Sequence, residues 1–242
     1  MLRAIRPLAR IARPSLLAAT SAAVALGGVS AALAEPEPKR FELARGAAVT
    51  DAAPRAPLVA TSQAGAVTES ATGIAFPAQV PSPTSGRALS LAGAGVRVKF
   101  WVVNVYAVGL YFDAAKLKGQ STSELPPVAD VPALVRITLA MELPREKYND
   151  AIKEQVEPRM ASATADFEAF VNLSNQLPPT LAKGMAIDLH LDSGTLSLVA
   201  DEQRVGTVVS SALCNALADV YMGSDPVSPT AKQAAIQGLP LI

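Results

Sequence analysis

The chain has 242 residues, of which 50% are hydrophobic, and its 21 Lys and Arg balance 21 Asp and Glu to a formal net charge of zero. That length suits one ordinary domain with an extension, and the even charge provides no clustered excess of cations with which to bind nucleic acid. With one cysteine, Cys214, and one histidine, His190, neither an internal disulfide framework nor a paired-cysteine zinc site can be built, and Cys214 in LCNAL reads as a buried helix position rather than a nucleophile.

The first 34 residues contain no acid. Arg3, Arg6, Arg10 and Arg13 recur at helical spacing, with Leu2, Ile5, Leu8 and Ile11 between them, which is the pattern of a basic amphipathic targeting segment. Residues 15–34 are uncharged over about twenty positions, long enough at about 1.5 Å per residue to reach across a hydrocarbon layer. They end on Ala32-Leu33-Ala34 before Glu35, a small-x-small cleavage pattern. Three addresses fit: a two-part mitochondrial signal to the inner membrane or intermembrane space, placed first because the arginines line one helix face, a two-part chloroplast signal, and a secretory or periplasmic signal. Left uncleaved, residues 15–34 would anchor the chain in a membrane. Residues 35–71, rich in Ala, Pro, Thr and Ser and without a sustained period, read as a disordered linker.

The folded domain is expected over residues 72–242. TGIAFPAQ (72–79) suits an edge strand or a first turn, and RALSLAG (87–93) a brief strand. Gly93 and Gly95 are expected to turn the backbone sharply and leave Arg97 on the emerging strand. Val96 to Asp113 is dense in Val, Phe, Trp and Tyr, as in a central hairpin or long bent strand with Asn104 at a turn. Arg97 and Tyr106 stand as polar residues in this apolar wall. A guanidinium there requires either an anionic ligand in a polar cleft or an internal carboxylate such as Asp113 or Glu142.

Val135 to Glu142 alternates as a strand, and Pro144 opens a helix that carries Tyr148, Ile152, Val156 and Met160 on one stripe until Pro158. A second helix over 164–176 lines up Phe167, Phe170, Val171 and Ser174 and stops at Pro178-Pro179. In GMAIDLHLD (184–192), Met185, Ile187, Leu189 and Leu191 point inward, so Asp188 and His190 are expected outward and solvated. Ser193-Gly194 turns a hairpin into strands over 195–200 and 204–210, which makes the sheet antiparallel. A helix over 211–222 is expected to end on a left-handed Gly223, and Pro226-Val-Ser-Pro229 leads into a short last helix.

GAGVR (93–97), VYAVGLY (105–111), SGTLSL (193–198) and MGSDPVSPTAK (222–232), in this order and spacing, resemble the chalcone isomerase superfamily over about residues 72–242. The resemblance implies an α+β open-faced β-sandwich, a large antiparallel sheet covered by a layer of helices with a ligand cleft between them. It places the superfamily's site arginine on Arg97 and its helical tyrosine on Tyr148, while Tyr106, Gln155 and Val220 stand where the plant enzymes carry a threonine, an asparagine and a second threonine. Those enzymes close a flavanone ring by phenolate attack on an enone. With the hydroxyls that polarise the ketone and organise water replaced, the resemblance points to the non-catalytic, fatty-acid-binding branch. It implies a small apolar carboxylate as partner, Arg97, Tyr106, Tyr148, Gln155 and Val220 around it, and no cofactor. Two alternatives stay open: an isomerase of the intramolecular-lyase type using Arg97 and Tyr148, and a haem-binding organellar protein in which His190, Met185 or a tyrosine would ligate iron.

Overall fold

The computed structural model describes residues 65–99, 103–118, 123–160 and 164–242. The expected targeting segment 1–34, and the linker as far as residue 64, lie outside the described residues. Among the described residues, no helix is long and apolar enough to cross a membrane.

The chain opens on a small hairpin of β1 (Val67–Thr68) and β2 (Ala75–Phe76). Glu69 closes its turn by accepting hydrogen bonds from the Ala71 and Thr72 amides and the Thr72 hydroxyl. Val67 and Thr68 were expected in the linker, and what orders them is the pairing with Phe76, which is wholly buried. The main sheet then forms from β3 (Gln79–Pro81), β4 (Ala88–Lys99), β5 (Val103–Phe112), β6 (Ala133–Leu139), β9 (Ala186–Asp192), β10 (Thr195–Ala200) and β11 (Gln203–Val209). A two-stranded ribbon of β7 (Leu143–Pro144) and β8 (Thr180–Leu181) lies apart from it. The sheet order is β11-β10-β9-β6-β5-β4-β3, antiparallel throughout.

Among the described residues four helices cover one face: α2 (Arg145–Val156), α3 (Thr164–Ser174), α4 (Ser211–Met222) and α5 (Pro229–Gly238); α1 (Ala114–Leu117) is a single turn after β5. This is the expected α+β open-faced β-sandwich. Alternation along β5 sends Tyr106, Val108, Leu110 and Phe112 into the core beneath the helices, and Ala107 and Tyr111 to the other face. Residues Tyr148, Ile152 and Val156 form the buried stripe of α2, which gives way to a 3-10 turn, Glu157–Arg159, at Pro158.

Four local expectations are overturned by packing. Gly93 and Gly95 sit inside the continuous strand β4 and make no turn; they are small because α5 lies directly on them, where a Cβ would collide with the backbone of Ala231, Ala234 and Ala235. Asn104 is a strand residue paired with Val98, and its amide donates to the Ala71 carbonyl. Gly223 is extended, at φ −70° and ψ −168°, and is small because a Cβ would strike Asp219. Asp188 and His190 are each 3% exposed, because segment 77–84 crosses over the face of β6, β9 and β10 that periodicity alone leaves to water.

The VSPTAK motif has a local explanation. Ser228 accepts from the Ala231 amide as the N-cap of α5 and donates to the Val96 carbonyl at 2.9 Å, Pro229 opens the helix, and the Val96 amide donates to the Thr230 hydroxyl. Lys232 ties back to the Gly223 carbonyl at 2.7 Å. The start of α5 is thereby pinned to β4 one residue before Arg97.

Candidate functional site

Between the sheet and α2 opens a cleft of about 310 Å³. Arg97 on β4 and Tyr106 on β5 are direct cross-strand partners, so their side chains rise from the same face. Immediately beyond them the register slips, with Val98 opposite Asn104, which leaves Val105 as the extra residue of a β-bulge. The bulge lets the consecutive residues Val105 and Tyr106 both line the cleft, where strict alternation would have turned one away. Helix α2 supplies the facing wall with Tyr148, Ala151 and Ile152, and Met141 and Leu143 close the apolar end.

Arg97 is half-buried, and its Nη1 donates to the Tyr106 hydroxyl oxygen at 2.9 Å, with the guanidinium carbon 5.5 Å from the Tyr106 ring centre. Neither carboxylate expected as an internal partner reaches it. Asp113 caps α1 and pairs with Arg87 at 3.3 Å, and Glu142 is exposed. Burial opposes the Arg97 charge, but Tyr106, then Tyr221 and Glu154, raise its pKa above the ordinary arginine value, so the group stays cationic. Glu154 lines the cleft outside ion-pair distance of Arg97.

Two further phenols crowd the cation. The Tyr148 and Tyr221 hydroxyls are buried with no hydrogen-bond partner; Tyr221 comes close to Tyr106 without reaching bonding geometry. Burial, then Tyr106, raises the Tyr148 pKa, and burial raises that of Tyr221 well above a free phenol, so both remain protonated donors. Because Tyr106 accepts from Arg97, its own proton is also left to donate. The cleft therefore presents a guanidinium and the phenols of Tyr106 and Tyr148 to an anion, with Tyr221 buried close to Tyr106 outside the cleft lining, and an apolar channel to whatever that anion carries.

Of the five residues expected around a ligand, Arg97, Tyr106 and Tyr148 come together. The other two do not line the cleft. The carbonyl and amide oxygens of Gln155 face Arg159, at 2.7 and 3.4 Å, and Val220 is 1% exposed in the core of α4. Tyr221, the residue after Val220, was missed. Its i, i+4 spacing from Leu213 and Leu217 places it on the sheet-facing stripe of α4, and a tyrosine on a buried stripe carries a hydroxyl in need of a partner. The charged rim of Lys99, Lys147, Asp150 and Glu154 also went unread.

Cys214 is 1% exposed, and its thiol is pushed up to about 12 by burial and then Asp192, as suits a buried packing residue. Of the side chains expected as haem ligands, Met185 belongs to the core under the helices and His190 lies on the opposite face of the sheet, so among them the cleft is lined by tyrosines alone, Tyr106 and Tyr148.

A helix-backed antiparallel sheet with a cationic, phenol-rich cleft at the α2 edge defines an α+β open-faced sandwich. The chain belongs to the chalcone isomerase-like family, whose model matches residues 68–235. It is 28% identical over 203 residues to a chalcone–flavanone isomerase of Oryza sativa subsp. japonica, covering 67% of this chain and 84% of that one. Fatty-acid-binding protein 1 of Arabidopsis thaliana is 27% identical over 195 residues, 69% of this chain and 68% of the relative. The crystal structure of an Arabidopsis thaliana fatty-acid-binding protein, AtFAP1, superposes with a TM-score of 0.62 at 25% identity, covering 72% of this chain and 97% of that one.

Proposed function

We propose that the domain is a non-catalytic binder of a fatty acid or similar apolar carboxylate, held head-first at Arg97. The observation that carries this reading is a half-buried, cationic guanidinium with no carboxylate partner among the described residues, near phenols of which two are buried and unbonded. A carboxylate fits that set, with two parallel bonds from the Arg97 fork and further bonds from Tyr106 and Tyr148. Each methylene buried along Val105, Leu143 and Ile152 would add roughly 0.8 kcal/mol. At about 310 Å³ the cleft lies near the small end of the roughly 300–1,000 Å³ usual for ligand sites, which favours short or medium chains, or a longer chain that emerges past Met141. The similarity to fatty-acid-binding protein 1 supports the same reading.

The competing reading is ring-closing isomerisation, supported by the similarity to chalcone–flavanone isomerases. Against it, Val220, which stands where the enzymes' second threonine is expected, brings no hydroxyl to the cleft, and Gln155, at the asparagine position, does not line it. Native mass spectrometry of the purified domain tests the proposal: an acyl carboxylate is expected to co-purify with the wild type and to be absent from Arg97→Ala. Turnover of a chalcone that disappears in Arg97→Ala would overturn it in favour of the enzyme.

A further inference from the structure

A second cavity, of about 420 Å³, lies on the opposite face of the sheet, with no lining residue in common with the Arg97 cleft. Its floor is β6, β9 and β10, and its roof is segment 77–83, which carries Pro77, Pro81 and Pro83. Without amide protons at those positions, the roof cannot hydrogen-bond continuously to a strand, and its sheet pairing is confined to three residues of β3. A gap is therefore left between roof and floor.

The floor is polar in a particular way. Arg136 and Asp188 stand directly opposite each other on β6 and β9, and Arg136 Nε and Nη2 donate to the two carboxylate oxygens at 2.7 and 2.6 Å. This geometry leaves Nη1 of Arg136 without a partner among the described residues. His190, two positions along β9, is 3% exposed and forms no hydrogen bond among the described residues. Its Nδ1 is fully buried, so Nε2 is the nitrogen a cavity occupant would meet. The buried Tyr111 hydroxyl comes close to Arg136 without reaching bonding geometry. Leaving His190 Nδ1 and the Tyr111 hydroxyl buried and unbonded is costly, and neither has a hydrogen-bond partner among the described residues.

We infer that this cavity is a second binding site, for a small uncharged molecule that presents a carbonyl oxygen to Arg136 Nη1 and His190 and lays its apolar body between Val199 and the prolines of the roof. Charge selects against ions: Asp188 and Glu202 repel an anion, Arg136 and Arg204 repel a cation, and the four formal charges cancel. His190 is held neutral, since burial lowers its pKa to about 4 despite Asp188. The two cavities are therefore complementary, one for a carboxylate and the other for a neutral carbonyl compound.

His190 is the only histidine in the chain, so its imidazole ¹H–¹⁵N signals report on this site alone. Titration of the full domain with acetophenone, a neutral ketone, is expected to shift those signals saturably in the wild type and equally in Arg97→Ala, whereas laurate leaves them in place. Val199→Phe fills the cavity and is expected to abolish the shift; Gln79→Trp, at an exposed rim position, blocks it with less demand on the fold and decides the matter if the first variant fails to fold. Absence of any shift at millimolar ketone, loss of the shift in Arg97→Ala, or its persistence in folded Gln79→Trp would each overturn the inference. Failure of acyl binding at Arg97 leaves it standing.

Discussion

Arg97 and Arg136 rise from opposite faces of one sheet, both partly buried in apolar surroundings, and they meet opposite fates. Arg136 is answered by a carboxylate built into the neighbouring strand, with both oxygens engaged in parallel bonds. Arg97 is answered only by a phenol oxygen, with a cross-strand tyrosine where an acid would close an ion pair. With its charge paired, Arg136 has no need of an anion, whereas a cation without a counter-ion beside a cleft is available to one. The contrast lies in the partner and not in the arginine, which is why inspecting arginines one at a time does not separate the two roles.

Asp188→Asn is the severest way to break the contrast, because it leaves the Arg136 charge buried without its counter-ion. Chemical denaturation is expected to show a loss of about 3–5 kcal/mol, with acyl binding at Arg97 unchanged in the fraction that remains folded. Loss of less than about 1 kcal/mol would mean that water compensates Arg136 as readily as it does a surface arginine.

Acid sharpens the same comparison through the neighbour of that pair. The His190 imidazole is held near 4 in the folded chain and rises to about 6.5 on unfolding. The unfolded state therefore binds the extra proton between those values. The contribution of His190 to stability is intact above about pH 6.5, declines as the pH falls, and is lost once it passes about 4, a change of about 3 kcal/mol. Unfolding free energies measured from pH 7.5 to 4 for the wild type and His190→Gln should converge toward acid. Parallel curves would show that the imidazole titrates freely.

On the other face, Arg97→Ala is expected to weaken laurate binding by roughly 30-fold or more, equivalent to about 2 kcal/mol for a charge-assisted pair, by isothermal titration calorimetry. The same variant should unfold within about 0.5 kcal/mol of the wild type, because among the described residues Arg97 makes a single hydrogen bond. The smallest effect is expected from Tyr106→Phe, which keeps the ring under the guanidinium and removes one donor. A loss of about 1 kcal/mol in laurate affinity, with no change in fold, would assign the hydroxyl to the ligand.

Much of this architecture is legible from residue pattern. The alternation in VRITLAME and AIDLHLD, the Ser193-Gly194 turn, and the Pro144 and Pro229 helix starts all fell where local chemistry placed them. The failures share a cause. Gly93 and Gly95 read as a turn because glycine permits one, yet the demand on them comes from α5, more than 130 residues downstream. His190 read as solvated because period 2 assigns a face without saying what lies over it, and the covering segment 77–84 is too irregular to announce itself. In the cleft, Arg97, Tyr106 and Tyr148 were legible as polar residues in apolar settings. Gln155 and Val220 were placed by position in a family pattern, and neither lines the cleft.

By itself the sequence determined the main helices and the strands of the C-terminal half, that the sheet is antiparallel, and that an arginine stands in an apolar wall, because periodicity, proline and glycine act over a few residues. Only the tertiary structure decided the partners: that the β4–β5 register sets Tyr106 against Arg97, that a bulge turns Val105 into the same cleft, that Tyr221 arrives from α4, and that Asp188 closes on Arg136 across β6 and β9. Pairing of charges depends on distances between groups remote in the chain, and those distances exist only once the sheet has its register and the helices have settled on it.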